Sequence, residues 1–181
     1  MLIREVTDVI ERFAPLAWQE SYDNAGLIVG RPDDEVHRAL LAVDVTDEVM
    51  AEAEREGCDM VITHHPIVFH ALKRFNSADQ VQRCVERAIR GGIALYACHT
   101  NLDSAPGGMS WRLAEMLGVG DLRVLQPAQA DEKVGFGVVG ELPEPMATVE
   151  FMRRMQRVLG VRVVRHSDIA SPEVRRVAVC T

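Results

Sequence analysis

Three of the six histidines stand where chemistry is usual. His64 and His65 directly follow the apolar run Met60-Val61-Ile62 in Thr63-His64-His65-Pro66, and His99 directly follows the run Ile93 to Cys98. Open parallel α/β sheets bind ligands beyond the carboxyl ends of their strands, so two runs that read as strands bring imidazoles to one rim. Asp44, closing the run Leu40 to Val43, offers a carboxyl group from a neighbouring position, and Asp103 follows His99 by four residues. A mixed His/Asp set suits divalent Zn, Mn, Fe or Ni, with carboxylates able to bridge two ions. Successive residues of extended chain point to opposite sides, and Pro66 restricts His65 toward extended conformation. The two adjacent rings are therefore expected to diverge, each serving a different ion, or one as a ligand and the other as an orienting group. His37, His70 and His166 read as bystanders, and Cys98 as a core residue rather than a nucleophile.

The elements that must position these groups follow from periodicity. Ile3, Val6, Val9, Ile10 and Phe13 mark an amphipathic helix that Pro15 ends. Residues 15 to 36 read as connection and loop around the short apolar stretch Leu27-Ile28-Val29. Ala39 to Val43 reads as a strand covered on both faces, and Thr46 caps a helix that Gly57 stops. The pattern repeats with a strand at Met60 to Ile62, a helix around Val81 to Ile89 closed by Gly91-Gly92, a strand at Ile93 to Cys98 and a helix from about Met109 to Leu117. Such alternation predicts an α/β fold, a mostly parallel or mixed sheet with helices on both faces. Past residue 120 the character shifts. Gly135-Phe136-Gly137-Val138-Val139-Gly140 has the spacing of a dinucleotide fingerprint, but Glu141-Leu142-Pro143 opens no helix under a pyrophosphate, so a glycine-rich edge or bulged strand is expected. A helix around Phe151 to Leu159 and strands at Val161 to Val164 and Val174 to Val179 complete the reading. The domain organisation expected is an N-terminal lobe over 1–125 carrying the His/Asp half-site and the start of a second lobe over 126–181.

The 181 residues, 48% hydrophobic and 26% charged, suffice for a folded core without a disulfide or structural metal. A net charge of −7 argues against a surface that coats DNA or RNA, and the basic residues are scattered, nearly all Arg with Lys73 and Lys133 the exceptions. The four cysteines form no CxxC pair and read as small buried apolar residues in a reducing compartment. Arg4, Glu5 and Asp8 interrupt any signal-peptide core, and no apolar run approaches the roughly 20 residues of a membrane span, so a cytoplasmic protein is expected.

Three segments in this order, Ser21-Tyr22-Asp23-Asn24-Ala25-Gly26-Leu27-Ile28-Val29-Gly30, Ile62-Thr63-His64-His65-Pro66-Ile67, and His99-Thr100-Asn101-Leu102-Asp103 with Gly107-Gly108, resemble the Nif-three-like dinuclear metal-centre family, also described as GTP cyclohydrolase I type 2-like. Gly140-Glu141-Leu142-Pro143 and Arg176 to Cys180 extend the likeness over nearly the whole chain. The resemblance implies two related lobes, a pair of divalent metal ions and a toroidal homohexamer. It also implies a hydrolytic activity toward a nucleotide such as GTP, or a non-catalytic metal-binding role in a ring assembly. It places His64, His65 and Asp103 as metal ligands and His99 beside the metals, where an imidazole suits proton transfer in catalysis. Tyr22 stands where the family commonly has Trp. The family's remaining ligands, a His and a Glu a few residues apart, come from a C-terminal segment. No His-x-x-x-Glu follows Asp103 here, so the chain is expected to lack that segment.

Overall fold

The computed structural model describes residues 1–128 and 131–181. Their contacts group them into two compact units, Met1–Leu102 and Asp103–Thr181. The shift in sequence character falls later, past residue 120.

The first unit opens with helix α1 (Ile3–Phe13) and a 3-10 turn at Leu16–Trp18, followed by β1 (Gly26–Val29), β2 (Ala39–Ala42), α2 (Asp47–Arg55), β3 (Met60–Thr63), α3 (Gln80–Gly91) and β4 (Ala94–Ala97). The four strands form one sheet in the order β1-β4-β3-β2. Strands β2, β3 and β4 run parallel, and β1 pairs antiparallel with β4. The helix ends carry capping signals, those at Thr46, Gly57 and Gly92 as expected and that at Asp79 found only in the structure. Thr46 accepts from Val49 N at 3.2 Å, Asp79 accepts from Gln82 N at 2.9 Å, and Gly57 and Gly92 adopt positive φ. One core gathers Val61, Leu95, Met50, Ala53, Cys84 and Ala88 with α2 and α3, and a second gathers Met60, Ala94 and Tyr96 with Ile3 of α1. Burying each large apolar side chain contributes about 1.5–3 kcal/mol, so these two layers are what hold the strand ends in place.

Two strand readings change. Leu27-Ile28-Val29 is not loop but lies in β1, whose four residues are too few to show a period. Covering on both faces describes central β4, all of whose residues are buried, but not edge β2, where Leu41 is 75% exposed.

After the short helix α4 (Thr100–Ser104), the second unit contains α5 (Met109–Met116), β5 (Gly120–Pro127), β6 (Gly135–Ala147), α6 (Thr148–Leu159) and β7 (Glu173–Val179). Its sheet, in the order β5-β6-β7, is antiparallel throughout. Val138, Leu142, Val177 and Val179 pack with Ala114, Leu117 and Phe151. The glycine triplet lies in β6, as expected of a strand rather than a nucleotide loop, yet β6 is the central strand and not an edge. Its register slips between Glu141 and Met146, and a Cβ on Gly140 would collide with the carbonyl oxygen of Gly120, which is why glycine serves there. Residues 161–164, expected as a strand, are irregular, with Val163 78% exposed. Alternation alone supplies no ladder partner. Cys58, Cys84 and Cys98 are buried, whereas Cys180 is exposed, against the expectation of four core thiols. No helix among the described residues is long and apolar enough to cross a membrane.

Candidate metal centre

The rim of the first sheet is built by strand register. Thr63 at the end of β3 stands opposite Ala97 at the end of β4 and opposite Ala42 at the end of β2. Cys98 N donates to Thr63 O at 2.8 Å and His65 N to Val43 O at 3.0 Å, so the chain leaving each strand is tied to its neighbour. His64, His65 and His99 therefore emerge side by side. One ligand-type atom from each lies within 4.8 Å of the others, and the ring centroids are separated by 4.9, 5.3 and 5.6 Å.

The expected divergence of His64 and His65 does not occur. β3 ends at Thr63 and the backbone bends through both histidines, while the Thr63 hydroxyl donates to His65 O at 2.9 Å and holds the bend. Opposite-side alternation belongs to extended strand, and here the strand has already stopped.

Each imidazole is oriented through Nδ1. His64 Nδ1 lies 2.7 Å from Cys98 O, His65 Nδ1 2.7 Å from Asp44 Oδ1, and His99 Nδ1 2.8 Å from Asp23 Oδ1. A carbonyl or carboxylate oxygen only accepts, so each neutral ring donates Nδ1–H and carries its lone pair on Nε2. This is the tautomer a metal-binding histidine needs, with the partner group fixing the ring. Asp44 thus acts on His65 as an orienting carboxylate.

Asp23 was legible only as part of a motif. The antiparallel pairing of β1 with β4 sets Gly26 opposite Ala97, which carries the preceding loop to the rim. The Asp23 side chain is fully buried and accepts from His99 Nδ1, from Asn24 N at 2.6 Å, from Thr100 N at 3.1 Å and from the Thr100 hydroxyl. Burial pushes its carboxyl pKa up, but hydrogen bonds from Thr100, His99 and two backbone N–H groups outweigh that and hold it below the usual range. Asn101, also fully buried, accepts from His99 N at 2.9 Å and donates to Ala14 O at 2.7 Å, fastening the His99 turn to the end of α1.

Phe69 stands edge-on to His99 with centroids 6.2 Å apart, Tyr22 lies 6.4 Å from Phe69, and Asn24 Nδ2 donates to Val68 O at 2.7 Å. Phe69 is the aromatic side chain set against the cluster among the described residues, and Tyr22 packs on Phe69. Cys98 is buried and its thiol is pushed up to about 11 by burial, so it behaves as core and supplies its carbonyl to His64. His37, His70 and His166 are exposed, and none joins a group of metal-ligand type among the described residues. Asp103 lies on α4 in the second unit, 4% exposed, where it accepts from the Thr181 hydroxyl at 3.2 Å.

A mixed α/β sheet with an oriented histidine cluster at the carboxyl ends of its parallel strands defines an α/β protein with a candidate metal centre. The family model described as Duf34/NIF3 (NGG1p interacting factor 3) matches residues 1–181, and the chain belongs to that family. It is 31% identical over 179 residues to a protein of Clostridium perfringens named GTP cyclohydrolase 1 type 2 homolog, covering 99% of this chain and 68% of that relative. A Staphylococcus aureus hypothetical protein of known structure is similar at a TM-score of 0.89 and 25% identity, covering 98% of this chain and 71% of that one. A Bacillus cereus protein related to NIF3 shares the fold at a TM-score of 0.90 and 22% identity, covering 98% and 76%. The chain spans about two thirds of the length of the curated relatives it matches.

Proposed function

We propose that the protein binds divalent metal ions through His64 and His65 and acts as a metal-dependent hydrolase resembling GTP cyclohydrolase I type 2. The observation that carries this reading is the shared tautomer: three clustered imidazoles donate Nδ1–H to accept-only oxygens and carry their lone pairs on Nε2. A bound divalent ion supplies Lewis acidity toward water and a substrate oxygen near neutral pH. His64 and His65 hold and orient it, and their fixed rings reduce the entropy lost on binding. His99, set by Asp23, accepts a proton at Nε2 and serves as the proton-transfer group. Asp103 enters as a further ligand through the motif His99-Thr100-Asn101-Leu102-Asp103 alone. The same resemblance supports a pair of ions, a small-molecule substrate of nucleotide type, self-assembly into a ring and a cytoplasmic setting.

Metal analysis of protein purified without chelator tests the reading. Bound zinc, iron, manganese or nickel that is lost in His64→Ala supports it. Metal-free protein, with unchanged content in His64→Ala, overturns it. Metal-loaded protein that remains a defined oligomer but hydrolyses no nucleotide would leave a metal-binding assembly role in place of the hydrolase.

A further inference from the structure

We propose that Asp23 is a positioning residue: a buried, always-accepting carboxylate that locks His99 in the tautomer with its proton on Nδ1 and its lone pair on Nε2. The assignment follows from the direction of a hydrogen-bond chain. Glu20 N donates to Thr100 Oγ1 at 2.9 Å, and the Thr100 hydroxyl donates in turn to Asp23 Oδ2. Thr100 N donates to the same Oδ2, and Asn24 N donates to Oδ1. Every other hydrogen-bond partner of the carboxylate among the described residues is a donor, two of them backbone N–H groups that can never accept. Asp23 has no proton to offer His99, and the ring nitrogen 2.8 Å away must donate.

The setting makes the clamp specific. The Asp23 side chain is 0% exposed and that of His99 19%, so bulk water does not replace the contact. Asn101 holds the His99 backbone from the other side. An imidazole in water prefers its proton on Nε2, so the orientation at His99 is imposed against the intrinsic preference. By contrast Asp44, which orients His65, is 58% exposed and shows a single side-chain partner among the described residues. The metal-binding reading above is needed only for what the Nε2 lone pair is used for, not for the clamp itself.

Long-range 1H–15N correlation spectra of the labelled, metal-free chain, recorded well above the ordinary imidazole pKa, test the proposal, with the His99 signals assigned by their loss in His99→Gln. The wild type is expected to show His99 protonated on Nδ1 as its single neutral form. In Asp23→Ala, with the His65 signals unchanged as the control for folding, the Nε2–H form becomes the major one. Wild-type His99 with its proton on Nε2, or Asp23→Ala retaining the Nδ1–H form, overturns the proposal. The wild-type spectrum decides even if the variant does not fold. Zinc titration separates the two readings. If both hold, zinc still binds through His64 and His65 in Asp23→Ala while the His99 tautomer inverts. A wild type that binds no zinc but shows the tautomer inversion overturns the metal reading alone, and zinc binding with an unmoved tautomer overturns the clamp alone.

Discussion

The His99 corner and the His65 corner of one cluster are built in opposite ways. At His99 the orienting carboxylate is fully buried, takes four donors and is backed by a buried asparagine. At His65 the carboxylate is 58% exposed and the ring itself 49% exposed, with one hydrogen bond between them. The difference shows two ways to aim an imidazole. One commits fold stability to a fixed direction, because each donor would be orphaned by losing the acceptor. The other sets a preference that water can substitute for, at little cost to the fold.

That contrast can be broken most forcefully at Asp23. Asp23→Ala is expected to destabilise the protein by about 2–4 kcal/mol in urea unfolding, since several buried donors lose their acceptor. The gap has a pH signature. The folded-state pKa of Asp23 lies below its ordinary value, so the ionised carboxylate contributes stability above the usual carboxylate range. That contribution is lost as pH falls through the depressed value. A wild-type-minus-variant difference that grows on acidification would contradict this.

Asn101→Ala is the next largest, about 2–3 kcal/mol, because it strips His99 N and Ala14 O of buried partners together. Thermal melts that leave Asn101→Ala within error of the wild type would remove the backing from the His99 corner. In the other corner Thr63→Val should cost about 1 kcal/mol, the net value of one hydroxyl hydrogen bond. The sharper readout is the separation of the His64 and His65 rings in a crystal structure of that variant, which widens if the hydroxyl holds the bend. Asp44→Ala closes the series, with less than about 1 kcal/mol lost on unfolding, as for an exposed ion pair. A cost at Asp44 equal to that at Asp23 would abolish the distinction between the corners.

Much of the cluster was legible because its signals are local. Met60-Val61-Ile62 and Ile93 to Cys98 read as strands from their apolar runs, and histidines placed directly after both point to a shared rim. The convergence of His64 with His65 was not legible, because it depends on where β3 stops. There the Thr63 hydroxyl donates to His65 O across the bend, a contact that strand alternation does not encode. Asp23 is legible in the sequence only as part of a motif, since nothing near it in the chain reveals that β1 runs antiparallel to β4. The central place of β6 and the irregular 161–164 escaped for a related reason: period-2 patterning says that a segment suits a sheet, not which strands flank it.

By itself, the amino-acid sequence determined the alternation of helices and parallel strands, the helix caps at Thr46, Gly57 and Gly92, and the presence of imidazoles at two strand ends. These rest on interactions between residues a few positions apart, which composition and spacing encode directly. Only the tertiary structure decided which nitrogen of each imidazole carries the proton. The partner of His99 lies 76 residues away along the chain and reaches it through strand pairing and burial, and hydrogen-bond direction is settled only when all the donors around one acceptor are in place.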